Sequence, residues 1–429
     1  MKLFLKNARV IDPAQNTDDI MDIVLAEGKI IARGPDLKAP PEAELIELAG
    51  LVAAPGLVDM HVHLREPGLE YKETIASGAA AAVAGGFTSI ACMPNTEPVN
   101  DNRSVTEFIR RKAAEADLAH VYPIAAITAG SEGKRLAEYW DLKEAGALAL
   151  SDDGKPVMDA ALMRRAMEYA YSLDLPVIQH CEDKNLSGCG LMNEGYWSTV
   201  LGLPGIPAIA EEVIVGRDIL IAEYTRTRIH IAHVSTAGSV RLIRDAKKRG
   251  VQVTAEATPH HFTLTDEALA GYDTNYKVSP PLRSRADVEA VKQGLADGTI
   301  DAIACDHAPH ARTDKEVEFE YAACGISGLE TSLGLSLELV HDKTLTLAQL
   351  IDRMSRQPAN ILKIPAGTLA AGADADITII DPALDWTVDV QSFRSLGKNS
   401  PFHGRKMKGR AVLTIVKGTV KYDGRALRP

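Results

Sequence analysis

The sequence predicts an α/β fold: a (β/α)8 TIM-like barrel carrying a small β-sandwich domain built from both chain ends. Three observations lead there. Short apolar, strand-like runs alternate with amphipathic stretches of helical period through the middle of the chain. No glycine-rich nucleotide fingerprint follows the first of these runs, which disfavours an open doubly wound sheet. Both chain ends have another texture, short alternating runs between turn residues with no long helix.

The amino-terminal runs are "KLFLKNARVI" and "DIVLAEGKIIARG" within residues 1–54. Eight strand candidates follow: "GLVDMHVH" (56–63), "TSIACM" (88–93), "VYPIAAI" (121–127), "ALALS" (147–151), "LPVIQH" (175–180), "RIHIAHV" (228–234), "VQVTAEA" (251–257) and "DAIACDH" (301–307). Segments such as "KETIASGAAAAVA", "DAALMRRAMEYAYSL" and "GSVRLIRDAKKRG" lie between them, with apolar residues recurring at three and four positions. After "PAGTLAAGADADITIIDP" the first texture returns in "AVLTIVKGTVKYDG". The expected division is therefore 1–54 with 365–429 as the β-sandwich and 55–364 as the barrel.

Composition narrows the function classes. The 429 residues exceed what one core usually holds, and 46% hydrophobic with 24% charged residues is ordinary for a globular protein. A net charge of -11 argues against a general nucleic-acid or anionic-membrane surface. The start "MKLFLKNARVID" has a lysine inside its apolar stretch and reads as folded chain, and the apolar run "GAAAAVAGG" is too short to cross a membrane. Five scattered cysteines without CxxC spacing are expected to be reduced thiols in the cytoplasm.

The polar residues at the strand ends carry the chemistry. In "GLVDMHVHLREPG", a strand places His61, His63 and Arg65 on one face. Taken alone, such a pair suits a bland polar face as well as a metal site. The joint pattern is more specific: Asp153 follows strand four, His180 ends strand five, His233 ends strand six and Asp306 ends strand eight. Barrels of this kind gather their reactive groups at the carboxyl ends of the strands. Nitrogen and carboxylate donors of this number suit two Zn²⁺ ions, with Mn²⁺, Co²⁺ or Fe²⁺ as alternatives.

Here the chain resembles the amidohydrolase superfamily and, within it, the dihydroorotases of the bacterial class I type. "GLVDMHVHLREPG", "ACMPNTEP", "SDDG", "QHCED", "IAHVST", "ATPHH", "SPPLR", "DHAPH" and "GADADITIID" fall in the family's order over nearly the whole chain. The resemblance implies that His61, His63 and Asp306 hold one metal, that His180 and His233 hold the other, and that Asp153 bridges them. Many relatives bridge with a carbamylated lysine, for which Lys155 is the alternative here.

The implied reaction is the reversible interconversion of N-carbamoyl-L-aspartate and L-dihydroorotate in pyrimidine synthesis, with a metal-activated bridging hydroxide as nucleophile. Asp306 is the expected catalytic proton carrier as well as a ligand. Arg65 offers paired donors to the substrate carboxylate. By resemblance Asn95 and His310 complete that grip, and Ser279 in "KVSPPLR" lends backbone bonds to the ring. Outside these, His260 and His261 are expected in supporting roles, and His120, His230, His341 and His403 as structural or solvent-facing residues. Residues 308–325 form a long polar loop expected to act as a lid, with Ala323 and Cys324 where the family often has proline and an aromatic residue.

The nearest alternative is another cyclic amide hydrolase, a hydantoinase (dihydropyrimidinase) or an allantoinase. A non-catalytic subunit supporting aspartate transcarbamoylase is disfavoured, because the ligand set is complete. Association with that transcarbamoylase and a homo-oligomeric state are expected partnerships.

Overall fold

A computed structural model describes residues 2–427. Both chain ends contribute to one eight-stranded sheet. Its members are β1 (Lys2–Asp12), β2 (Thr17–Ala26), β3 (Lys29–Gly34), β4 (Glu44–Glu47) and β5 (Val52–Pro55) from the amino end. The carboxyl end adds the last three strands, Ile377–Thr387, Lys406–Val416 and Thr419–Asp423. The first of these pairs antiparallel with β5, so the two ends are joined by backbone hydrogen bonds.

Strand β1 shows how the sequence encodes this layer. Leu3 and Leu5 have one parity and Ala8 and Val10 the other, yet all four share one core. A bulge between Leu5 and Ala8, with Asn7 at φ 59°, resets the alternation. The strands expected to form the sandwich are linked by hydrogen bonds into one continuous sheet with its own core. The pairing stays continuous because β1 is long enough to carry β4 and then β5 along one edge while β2 covers the other.

The central segments pair in chain order and in parallel. β6 (Leu57–Val62), β7 (Phe87–Cys92) and β8 (His120–Pro123) form one run. β9 (Val177–Gln179) begins a second; the short pair β10 (Met192–Asn193) and β11 (Gly205–Ile206) lies in the excursion after it. The second run continues through β12 (Ile229–Ile231), β13 (Val253–Ala257) and β14 (Ala302–Ile303). Leu150 bridges Ala125 on one side and Val177 on the other, and Val62 bridges His307, so the eight segments close on themselves. The fourth segment, expected as a strand over 147–151, is reduced to that bridge. Its backbone still bonds both neighbours, through Ser151 N to Ala125 O (2.8 Å) and Ile178 N to Leu150 O (2.8 Å).

Helices cover the outside of this ring. The helix Ile75–Gly85 shows why the composition "IASGAAAAVAG" suits its place: Thr74 caps it with Ser77, and Gly86 ends it at φ 94°. A Cβ on Gly85 would lie 2.3 Å from the Leu329 carbonyl, so only glycine allows that close approach. No helix among the described residues is long and apolar enough to cross a membrane.

Candidate active site

The carboxyl ends of the ring strands bring together the six ligand candidates. β6 delivers His61, 0% exposed, with His63 just beyond it. Asp153, His180, His233 and Asp306 follow the fourth, fifth, sixth and eighth segments, and all are buried. His63 Nε2 lies 2.9 Å from Asp306 Oδ1 and 3.5 Å from Asp153 Oδ2. His61 Nε2 lies 3.4 Å from Asp153 Oδ1 and 3.6 Å from Asp306 Oδ1. His233 Nε2 is 3.5 Å from Asp153 Oδ1 and 2.9 Å from His180 Nδ1, which is itself 3.9 Å from Asp153. Two triads have all their donor atoms within 4.8 Å: His61, His63 and Asp306, and His61, Asp153 and His233.

This donor set fits a divalent transition ion. His61 Nε2 and Asp153 Oδ1 are buried without a well-formed hydrogen bond, although buried polar atoms are nearly always paired. Imidazole and carboxylate donors are the mixture such ions take. Electrostatics point the same way. Burial opposes a charge on His61, but the field of Asp153, Glu256 and Asp306 outweighs it and raises its pKa. Burial likewise opposes ionisation of Asp153 and Asp306, yet the facing histidines hold both carboxyls below the usual range. The same facing charges would favour a cation among these donors.

Two of the converging residues, His233 and Asp306, have φ of 33° and 46°, and Arg65 has 63°. Left-handed backbone costs of order 1–3 kcal/mol at each non-glycine residue, so the surrounding structure holds these turns against strain. Lys155 is exposed beyond the turn at Gly154 (φ 80°), while Asp153 faces the cluster. Neighbouring Asp152 points away and accepts from Thr128 N at 3.0 Å.

Arg65 and His310 meet beside the cluster. Arg65 Nε donates to Pro309 O (3.2 Å), and its Nη2 is 3.4 Å from His310 Nε2. Burial lowers the Arg65 guanidinium to about 10, against the pull of Asp306 and Asp153, which leaves it charged at neutral pH. Burial and the charges of Arg65 and Lys72 keep His310 neutral. Asn95 has a second use that the sequence did not reveal: its Oδ1 accepts from His63 Nδ1 (2.8 Å), while Nδ2 lies 3.5 Å from the Asp153 carbonyl. Ser279 lies on the segment after β13, half-buried before Pro280.

Three supporting residues escaped the sequence reading. Glu256 binds His61 Nδ1 at 2.6 Å, and Glu182 lies 3.2 Å from His180 Nε2. Asn399, from the carboxyl-terminal segment, accepts from His310 N (2.8 Å) and donates to Ala308 O and Gly325 O (3.0 and 2.9 Å). It thereby ties together the two ends of the 308–325 loop. Glu256 and Glu182 left a usable signal, since a carboxylate in or beside a strand of a ring interior needs a cationic or donor partner. Asn399 left none, because it arrives from a segment assigned to the other layer. His260 and His261 are buried after β13; His261 bonds Thr258 Oγ1 (2.8 Å) and Pro280 O (3.0 Å), in keeping with a supporting place.

The family described as "Dihydro-orotase-like" matches residues 50–239. A dihydroorotase of Syntrophus aciditrophicus (strain SB) is 64% identical over 99% of this chain and 100% of its own length. The dihydroorotase of Pelotomaculum thermopropionicum is 58% identical over the full length of both chains. Among solved structures, the L-hydantoinase (dihydropyrimidinase) of Arthrobacter aurescens superposes with a TM-score of 0.87 at 26% identity, covering 98% of this chain and 96% of its own. The dihydropyrimidinase of Brevibacillus agri superposes with a TM-score of 0.86 at 24% identity, covering 99% and 96%.

Proposed function

The chain belongs to the dihydroorotase family, and from that premise we propose that it interconverts N-carbamoyl-L-aspartate and L-dihydroorotate as a class I enzyme. It is a hydrolase of cyclic amides. The observation that carries the substrate assignment is the buried, charged Arg65 beside the six-residue cluster. A dihydroorotate ring presents both an amide to the cluster and a carboxylate to Arg65, whereas an unsubstituted hydantoin presents only the amide. Parallel assays with dihydroorotate and hydantoin test this: turnover of dihydroorotate alone is expected, and preference for hydantoin would overturn it.

We further propose the roles of the side chains. His61, His63 and Asp306 would hold one divalent ion and His180 and His233 a second, with the Asp153 carboxylate available to both; Zn²⁺ is the metal these donors favour. Such ions supply a water made acidic enough to attack at neutral pH and a counter-charge for the carbonyl. During hydrolysis Asp306 takes the proton of the attacking water and returns it to the ring nitrogen as the amide C–N bond breaks. In ring closure the same carboxyl works in reverse. Arg65 and His310 hold the substrate carboxylate, Asn95 Nδ2 adds a donor, and Ser279 closes the ring side through its backbone.

The same reading extends to the whole molecule. The closed parallel ring is a (β/α)8 barrel over 55–364, and the sheet of 1–54 with 365–429 is a second domain of β-sandwich type. Five free thiols, three of them buried, support a reducing, cytoplasmic setting. Exposed Ile209, Val213, Leu220 and Tyr224 along the helix Ile209–Thr225 support a homo-oligomer. Association with an aspartate transcarbamoylase is tested by co-elution of the two proteins in size exclusion.

A further inference from the structure

Beneath the ligand cluster, inside the ring, lies a chain of polar groups that takes no part in the chemistry above. Glu256 sits on β13 and is 0% exposed. Its Oε1 accepts from His61 Nδ1 at 2.6 Å and from the backbone N–H of His233 at 3.4 Å. Its Oε2 lies 3.2 Å from His230 Nε2 on β12, and His230 Nδ1 lies 2.8 Å from Thr254 Oγ1. Parallel pairing sets this up, because His230 is in register with Thr254 and Glu256 follows two residues later on the same face.

With Glu256 as a carboxylate, His230 Nε2 donates to its Oε2, while His230 Nδ1 and the Thr254 hydroxyl share a hydrogen bond whose direction follows the protonation of the ring. The carboxylate, with no proton of its own, accepts the Nδ1 proton of His61. His61 Nε2 then faces Asp153 and Asp306 and can offer its lone pair to an ion held there. A histidine ligand whose far nitrogen donates to a carboxylate is fixed in tautomer and in ring orientation.

The arrangement is not repeated at every ligand. His63 is backed by the neutral amide of Asn95, and His233 Nδ1 has no hydrogen-bond partner. His233 is oriented instead through its backbone, which turns at φ 33° next to Glu256. Glu256 thus hydrogen-bonds a histidine of each half of the cluster, the ring of His61 and the backbone of His233.

We propose that Glu256, held by His230 and Thr254, is a positioning residue that orients His61 and the His233 turn together, so that both metal positions depend on one buried carboxylate. The inference rests on the metal-dependent reading of the cluster. Its test is chelator competition against Co²⁺, with the visible Co²⁺ spectrum recorded alongside, on wild type, E256A, E256Q and T254V. In E256A the affinity of both ions is expected to fall roughly 10- to 100-fold, the usual range when such a partner of a ligand is removed. E256Q keeps an acceptor for His61 and should fall between wild type and E256A. T254V should shift the Co²⁺ spectrum with little loss of thermal stability. If E256A fails to fold, E256Q and T254V, which preserve volume, carry the test. A purely structural role would lower thermal stability while leaving affinity and spectrum of the folded fraction unchanged, and that result would overturn the proposal. Failure of the wild type itself to bind Co²⁺ would defeat the metal-dependent reading, a different and distinguishable outcome.

Discussion

Asp306 is asked to be both a ligand and a carrier of protons, and the two duties separate on substitution. Asparagine keeps an oxygen near His63 Nε2, now at 2.9 Å from the carboxylate, but cannot accept and return a proton. D306N is expected to retain metal by elemental analysis while kcat falls by about 10²–10⁴-fold, the usual reach of a positioned acid–base group. Near-normal turnover would reduce Asp306 to a ligand. Arg65 makes the complementary prediction: R65M loses charge-assisted bonds of about 1.5–3 kcal/mol, so KM for dihydroorotate should rise roughly 10- to 100-fold with a smaller change in kcat. An unchanged KM would place the substrate carboxylate elsewhere. These residues were legible because ligands and anion clamps stand at strand ends, which the apolar runs mark, although left-handed turns at Arg65 and Asp306 set their final direction. Glu256 was legible only as a carboxylate in need of a partner, since which partner it meets depends on the registry of β13 against β12, which one sequence does not state.

The elements themselves were legible as far as hydrophobic period reaches. Seven of the expected ring segments contain strands, six of them shorter than the apolar run that predicted them and β7 equal in length but shifted by one residue, and the fourth is a bridge at Leu150. Apolar runs mark burial, whereas a ladder needs paired backbone on both sides, and the loops that form the site begin where that pairing stops. Element ends also carry charges whose cost is set by packing. Glu330, in the first turn of the helix Leu329–His341, accepts from Arg394 N (2.7 Å) and Ser395 N (3.2 Å). Burial pushes its carboxyl up to about 7, against the effect of those two bonds. The folded state then holds a proton that the unfolded chain has released, from the ordinary glutamate value up to about pH 7. The sign follows: this group's contribution is present at low pH and is lost as pH rises through that window. E330Q keeps the acceptor oxygen without the charge. Its melting temperature, in metal-replete protein, should match wild type near pH 5 and exceed it near pH 8; a constant difference would refute the linkage.

At the scale of the molecule, the joint between the two layers was the least legible feature, because it unites residues hundreds of positions apart. Thr378, on the strand Ile377–Thr387, donates to Gly86 O (2.6 Å) and accepts from Leu57 N (3.2 Å), so one buried hydroxyl joins the sheet to the start of β6 and to the end of the first helix. Thr414 makes a parallel contact to Val83 O at 2.7 Å. β6 leads straight to His61 and His63, so the terminal sheet braces the strand that presents the first two ligand candidates. Valine at 378 would match the shape of threonine but leave a buried N–H and a buried carbonyl without their partner. Each such loss costs about 1–3 kcal/mol. T378V is therefore expected to lower the unfolding free energy by about 2–4 kcal/mol in denaturant titrations. The strand is also held by its pairing with β7, so the site should survive, with KM near wild type at moderate temperature. A variant as stable as wild type would mean that the layers are joined mainly by apolar contact. Loss of substrate affinity without loss of stability would mean that the hydroxyl acts on the site directly.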